Sequence, residues 1–485
     1  RPKKEIPAQT RYSIRYKKLD EMYDPERVFF HLYGAASYAF WLDSSRVEVG
    51  LSRFSFMGKS KKVASYSLQE KMLTVTKDGL SEQKQESIFD YLDRELTRLS
   101  ADAPDLPFDF QAGFVGYLGY EMKVECGGDA AHVAPLPDAV FLFAEQLIAF
   151  DHREGAAYLV ALVEGDAKSE WLDAVEAQLQ NLPTLPPLAP LMPEKTPVTL
   201  RVHRPRAGYL ADIAQIKEYL RAGESYEICL TTQVSSELSP DALHLYRHLR
   251  AINPAPYAAF LRFGENAILS SSPERFLKID RDGWVEAKPI KGTAPRGKTA
   301  DEDERLRNEL QNSEKNRAEN LMIVDLLRND LGLVCDVGSV RVPKLMDVES
   351  YATVHQLVST ICGRLRDDLH PVDCIKAAFP GGSMTGAPKR RTMRLIDELE
   401  QEARGVYSGA IGFFGLNGTA DLNIVIRTIV SANGKLTLGA GGAVTILSDA
   451  EEEYDEMLLK TDALVKAIVE AVRGEFDEKE YRILS

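Results

Sequence analysis

Lys291 stands in PIKGT, residues 289–293, a tight turn between apolar strand-like sequence and a polar stretch. A turn amine held near a reactive carbon is a candidate nucleophile, provided desolvation or neighbouring positive charge leaves it neutral. The commoner alternative is a solvated surface lysine. Carboxylates offer a second chemistry. Glu319 lies in the first turn of NRAENLMIVDLLRND, and Glu453 and Glu456 lie three apart in SDAEEEYDEMLLKT with Lys460 one turn beyond. Taken separately these are a carboxylate at a helix dipole and a solvated acidic turn with a Glu456 to Lys460 pair. Those are the commoner readings; the alternative is that carboxylates from the two helices form a hard oxygen site suited to Mg2+, with water and substrate completing its shell.

Two glycine-rich segments, FPGGSMTGAPKRR (379–391, with Thr385 and Lys389) and LGAGGAV (438–444, with Gly441 and Gly442), have backbone N–H groups free to cradle an anion. Neither has the spacing of a Walker A loop or a dinucleotide fingerprint, so nucleotide binding is not expected. Arg427 interrupts the apolar IVIRT. A planar guanidinium there suits bidentate carboxylate recognition, or else a structural role at a strand edge. His355 in ATVHQLVST reads by default as a satisfied core histidine.

The elements that must position these groups fall on either side of a proline-rich stretch. LPTLPPLAPLMPEKTPVTLRVHRPR, residues 182–206, holds seven prolines, which forbid helix and favour an extended linker. The expected division is an N-terminal lobe of residues 1–190 and a C-terminal lobe of 191–485. In the first, YAFWLDSS and GFVGYLGY read as strands, SIFDYLDRELTRLSA as a helix, and AVFLFAEQLIAFDHREGAAYLVALVEG as paired strands joined by a polar turn. In the second, YLADIAQIKEYLRAGE reads as a helix ending near Gly223, and YEICLTTQVSSEL, PYAAFLRFG, NAILSSSPERFLKID and WVEAKPIKGT as strands. Helices are then expected to dominate until NIVIRTIVSANGKLTLGAGGAV, a hairpin turning at Asn433-Gly434. NRAENLMIVDLLRND should be buried, and Ser448 with Glu451 has capping-box spacing at the head of the acidic helix. The whole reads as mixed α and β with mostly antiparallel pairing.

The chain has 485 residues and a formal net charge of −14, ample for two lobes and unfavourable to nucleic acid or anionic membrane as partners. No apolar run approaches the ~20 residues that span a bilayer. Five scattered cysteines without CxxC spacing indicate neither a disulfide framework nor a zinc site, so a reducing, cytoplasmic setting is expected. The first residue is Arg1 and not Met, which leaves a lost organelle-targeting segment or upstream domain open.

FPGGSMTGAPK, NRAENLMIVDLLRNDLG, SSPERFL, PIKGT and EYDEMLLK, in their order and spacing, resemble the chorismate-utilizing enzymes, which include the large subunits of anthranilate synthase and aminodeoxychorismate synthase. The resemblance is strong over about residues 206–465 and looser before. It implies an α+β fold, a bilobed sandwich of mostly antiparallel sheets with outer helices, and a C-terminal active site where Mg2+ meets the ring carboxylate of chorismate. By motif, Glu319 and Glu456 match metal ligands, with Glu453 acting directly or through water. Arg427 and Tyr407 match a clamp on the enolpyruvyl carboxylate, to which Gly441, Gly442 and Thr385 add donors; Gly292 and Thr293 of PIKGT and Lys460 lie close by. Glu274 of SPERF matches a general acid for the C4 hydroxyl, and His355 a histidine near the ring. Lys291, the GGS before TGAPK, and Asn316 and Asn320 follow the aminodeoxychorismate synthase type; anthranilate synthases usually carry Ala at the lysine position. Glu227 stands where water-using relatives have a lysine, which disfavours water addition at C2 and leaves its own role open.

That subfamily implies Mg2+-dependent amination of chorismate at C4 through a Lys291 adduct, supplying 4-aminobenzoate. Ammonia would come from a glutaminase, as a subunit or a fused upstream domain, because no glutaminase Cys-His-Glu arrangement is present. The basic N-terminus suits a linker from such a fusion. The alternatives are C2 amination with pyruvate release, as in anthranilate synthase, and a non-catalytic ligand-binding subunit. LDSS, with Ser44, resembles the family's tryptophan-binding segment, which leaves two readings open: a tryptophan pocket in the first lobe, or Ser44 as a turn residue only.

Overall fold

The computed structural model describes residues 12–48, 51–191, 197–351, 354–477 and 480–484. The N-terminal stretch read as a fusion linker lies largely outside the described residues, as do residues 192–196 of the proline-rich one. Short apolar runs bounded by glycine and polar turns build two sheets, of fourteen and twelve strands. Pairing among the described strands is antiparallel except for Tyr12–Leu19 with Ala101–Asp102 and Val198–Val202 with Tyr481–Leu484.

Each sheet is made of two halves from distant parts of the chain. In the larger, Tyr38–Asp43 pairs with Tyr257–Phe263; in the smaller, Gly113–Leu118 pairs with Ala410–Gly415. The expected division at 190/191 falls between these halves in sequence, and residues on either side of it supply strands to both sheets. Gly113–Leu118 and Ala410–Gly415 are buried along their whole lengths, which explains their continuous apolar runs without alternation. Between the sheets an aromatic group closes the core: Phe110 stacks on Phe413 at 4.4 Å, with Phe56 edge-on to both. Helices Pro25–Leu32, Ala242–Ile252 and Asp462–Arg473 share one apolar cluster with the larger sheet, and Ile88–Arg98, Glu314–Gly332 and Pro371–Ala378 share another with the smaller.

Several expectations are corrected. AVFLFA and QLIAFD are strands of different sheets, divided at Glu145, and the hairpin is Gln146–Asp151 with Ala156–Glu164. NAILSSSPERFLKID is likewise two strands, Asn266–Ser272 and Arg275–Ile279, broken at Pro273, which has no N–H for a ladder. Helical residues outnumber strand residues between PIKGT and NIVIRTIV, as expected, but Arg341–Ser350 and Val354–Arg364 interrupt them with a long hairpin that the pattern did not show. Its first strand is largely exposed and rich in charge, an edge strand whose pattern hides its type. The turn at Asn433-Gly434 is as expected, with φ of 52° and 75° suiting a tight hairpin.

Candidate active site

Two chain crossings between the sheets make the site. Asn266–Ser272 of the larger sheet continues through Pro273 and Glu274 into Arg275–Ile279 of the smaller, and beside it Ala420–Ile424 of the smaller returns through residues 425–427 to Thr428–Ala432 of the larger. Ser271 N donates to Arg427 O at 2.9 Å, Ile424 N to Glu274 O at 3.0 Å, and Ser272 Oγ to Ile424 O at 2.6 Å. Arg427 holds φ at +51°, a left-handed conformation that a non-glycine residue adopts at a cost of about 1 kcal/mol or more. Its guanidinium thereby joins the wall of a cavity of about 610 Å³ and forms no salt bridge among the described residues. Tyr407 lines the same wall, its ring filling the space a side chain at Gly439 would need.

Lys291 enters the cavity from the strand Ile290–Pro295. Gly292 follows with φ +90°, and a Cβ there would lie 2.7 Å from the Asn316 side chain, so only glycine lets this turn sit against the helix Glu314–Gly332. Lys291 Nζ donates to Glu227 Oε1 at 3.3 Å and lies 3.9 Å from Glu319 Oε2. Burial favours the neutral amine, but Glu227, Glu319 and Glu274 outweigh it and raise the Lys291 pKa above its ordinary value. These carboxylates favour the ammonium form of Lys291, so the neutral amine depends on added positive charge in the cavity.

Glu274 is nearly buried at the crossing. Burial pushes its carboxyl up to about 7, with Lys291 and a hydrogen bond from Ser383 opposing. That is a carboxylic acid able to hold a proton near neutrality.

The acidic residues come from two helices. Glu319 Oε1 is buried without a hydrogen-bond partner, and burial pushes this carboxyl up to about 6, against the pull of Lys291. Glu453 and Glu456 project from Ala450–Leu459, which is capped by Asp449 and not Ser448: Asp449 accepts from the Glu451 and Glu452 amides, while Ser448 Oγ accepts from Thr445 N. Glu453 pairs with Lys315 at 3.1 Å and Glu456 with Lys460 at 2.8 Å; Lys460 also donates to Gly441 O at 2.9 Å. Burial raises the Glu456 carboxyl, but Lys460, Lys315 and Lys291 outweigh it and leave it below its ordinary value. A Cβ at Gly442 would sit 3.3 Å from both Glu453 Oε2 and Lys460 Nζ, so that glycine keeps the cradle open. Among the described residues no three His, Cys, Asp or Glu side chains close around one point. The donor set nonetheless fits Mg2+, which ordinarily takes one or two carboxylates, and Glu319 offers an oxygen with no other partner.

Thus Lys291, Gly292, Thr293, Glu274, Glu319, Arg427, Tyr407, Gly441, Gly442, Glu453, Glu456 and Lys460 line one cavity. His355 and Thr385 do not. On Val354–Arg364, strand alternation turns Gln356 to the cavity and His355 away, where its Nε2 meets Asp303 at 2.9 Å and its Nδ1 meets Ser350 at 2.8 Å. Thr385 Oγ1 donates to Gly381 O and Gly382 O within its own turn, so Ser383 and Met384 face the cavity instead. Lys389 is drawn off by Asp330 and Ala378 O, each at 2.7 Å. Ser44 lines a second cavity of about 680 Å³ between the sheets, walled by Phe54, Phe56, Phe108 and Tyr257. Arg275 borders that cavity and the adjacent Glu274 the first. Unforeseen wall residues are Cys229, Lys315, Ser383 and Gln356. Two of these left a sequence signal: Lys315 lies four residues before Glu319 on one helix face, and Ser383 is the serine of the GGS before TGAPK.

A family profile described as chorismate binding enzyme matches residues 39–466. The chain belongs to this family. An aminodeoxychorismate synthase of Streptomyces griseus is 47% identical to this chorismate-binding enzyme over 485 residues, 98% of the chain and 67% of the relative. A chloroplastic aminodeoxychorismate synthase of Arabidopsis thaliana is 47% identical over 91% of the chain and 52% of the relative. The chain thus spans between about half and two thirds of the length of these curated relatives. Anthranilate synthase component I of Streptococcus pneumoniae superposes with a TM-score of 0.72 at 30% identity, over 91% of the chain and 97% of that structure, in agreement with the α+β sandwich. No helix among the described residues is long and apolar enough to cross a membrane.

Proposed function

We propose that this chain aminates chorismate at C4, giving 4-amino-4-deoxychorismate for 4-aminobenzoate supply, the reading in keeping with the names of its Streptomyces griseus and Arabidopsis thaliana relatives. The observation that carries it is Lys291: a lysine amine in the cavity wall with Glu274 and the Arg427 guanidinium. As the neutral amine, Lys291 attacks C2 of the ring, both ring double bonds shift, and the C4–O bond breaks as Glu274 delivers its proton to the leaving hydroxyl, which departs as water. Ammonia then attacks C4, both double bonds return, the C2–N bond breaks to release neutral Lys291, and the new C4 ammonium returns a proton to Glu274. The enolpyruvyl group is retained, its carboxylate held by Arg427 and Tyr407.

Glu319 and Glu456, with Glu453 directly or through water, would hold Mg2+. When bound it would orient the ring carboxylate and offset the negative charge that favours protonated Lys291. Ammonia is assigned to a glutaminase, as a separate subunit or fused segment. In support, burial pushes all five cysteine thiols up, so none is an activated thiolate. The second cavity, with Ser44 and its aromatic wall, is where tryptophan would bind.

The test is to supply chorismate, Mg2+ and ammonium chloride, identify the product by mass, and assay pyruvate. A 4-amino product without pyruvate, lost in Lys291→Ala while chorismate still binds, is the expected result. Anthranilate plus pyruvate overturns C4 amination, no conversion favours a binding-only subunit, and full activity in Lys291→Ala removes the covalent step.

A further inference from the structure

We propose that Glu227 is a positioning residue for Lys291, its buried carboxylate setting the direction in which the amine faces the substrate. This rests on the reading above, in which Lys291 is the nucleophile. Glu227 opens the strand Glu227–Ser236 and is fully buried, yet it is not part of the cavity wall. Cys229, two residues along the same strand face, is part of that wall, so Glu227 lies beside the wall on the face that bounds the cavity. Oε1 accepts from Lys291 Nζ, while Oε2 is shut from solvent with no hydrogen-bond partner. Among the described residues Lys291 is the one ion-pair partner Glu227 has.

A buried carboxylate with one unsatisfied oxygen lowers stability, and a fold that needed only to fill this space would do better with an apolar side chain. The one structural reason for a carboxylate here is a counter-charge to Lys291, and Glu319 already lies 3.9 Å from that amine. The single connection of Glu227 is to a long side chain that otherwise samples many rotamers. An N–H of Lys291 directed at Glu227, beside the wall, leaves the remaining nitrogen directions to the cavity. After the amine becomes neutral, that hydrogen bond persists and the lone pair points at the substrate carbon.

The experiment compares Glu227→Gln, which keeps an acceptor oxygen without charge, with Glu227→Leu, which keeps volume without an acceptor. The full chain is assayed with chorismate, Mg2+ and ammonium chloride for kcat, KM and Tm. Expected is a KM within about 3-fold in both, because Glu227 does not touch the substrate. In Glu227→Leu kcat falls about 100-fold, and Glu227→Gln recovers about tenfold of that. Tm is measured beside kcat so that the stability lost with the Lys291 ion pair is read separately from the rate, and the kcat difference between Glu227→Gln and Glu227→Leu should exceed what any difference in their Tm accounts for. Unchanged kcat in Glu227→Leu, a Gln variant no better than Leu, a rise in KM at constant kcat, or loss of folded protein each overturns the proposal. A wild type that makes no 4-amino product overturns the proposed function with it; an active wild type beside an unimpaired Glu227→Leu overturns this inference alone.

Discussion

Glu274→Gln separates the catalytic acid from the stability of the fold. Burial lifts the Glu274 carboxyl from 4.5 to about 7. At about 1.4 kcal/mol per pH unit, this is a preference of about 3 kcal/mol for the protonated form in the folded chain. Because the folded value lies above the unfolded one, the contribution to stability is fully present below the ordinary glutamate range and is lost as pH rises from there through about 7. Glutamine stays neutral at every pH. Above pH 7 the variant should accordingly be more stable, by up to about 3 kcal/mol or roughly 3 °C in Tm for a chain of this length. It cannot donate the proton, so kcat should fall about 100-fold or more. The assay is kcat/KM for 4-amino product from about pH 5.5 to 8.5, with Tm measured in the same buffers. The wild type should lose activity as pH rises through about 7, and that limb should be absent from the residual activity of the variant. A rate loss under about tenfold, or an alkaline limb that survives the substitution, would refute the role of Glu274 as acid.

Arg427→Ala should raise KM for chorismate about tenfold or more without lowering Tm, since the guanidinium forms no salt bridge among the described residues; an unaltered KM removes it from the carboxylate clamp. Glu319→Gln and Glu456→Gln should each raise the half-saturating Mg2+ concentration about tenfold or more, read from activity titrations and from Mg2+-dependent Tm, and chelation should abolish turnover. Equal Mg2+ dependence in variant and wild type contradicts the ligand assignment. His355→Gln should keep kcat within about 3-fold, because both ring nitrogens are engaged by Asp303 and Ser350 outside the cavity. A loss of 100-fold with unchanged Tm would return it to the chemistry.

Much of the secondary structure was legible because it follows from local rules. The apolar periodicity of Ile88–Arg98, and the Asn433-Gly434 turn between apolar runs, need no distant contact. The strands divided at Glu145 and at Pro273 were not legible. Hydrophobic runs show that a segment is buried, but not which of two stacked sheets receives it. The same limit hid Gln356 behind its neighbour His355. The residue type invited chemistry, while the pleat of the strand, set by pairing with Ile290–Pro295, chose the face.

The sequence by itself determined the inventory: a lysine in a glycine turn, carboxylates on two helices, an arginine in an apolar run and a carboxylate in SPERF. Residue types and short spacings are properties of neighbouring positions, and one chain segment suffices to read them. Only the tertiary structure decided how these groups act on one another. Two strands crossing side by side between the sheets bring Glu274 and Arg427 to one cavity. Protonation of Lys291 is favoured by Glu227, 64 residues away on another strand, and by Glu319 on the helix Glu314–Gly332. Electrostatic coupling depends on distance and burial through space, and packing brings those carboxylates within reach where separation along the chain does not show it.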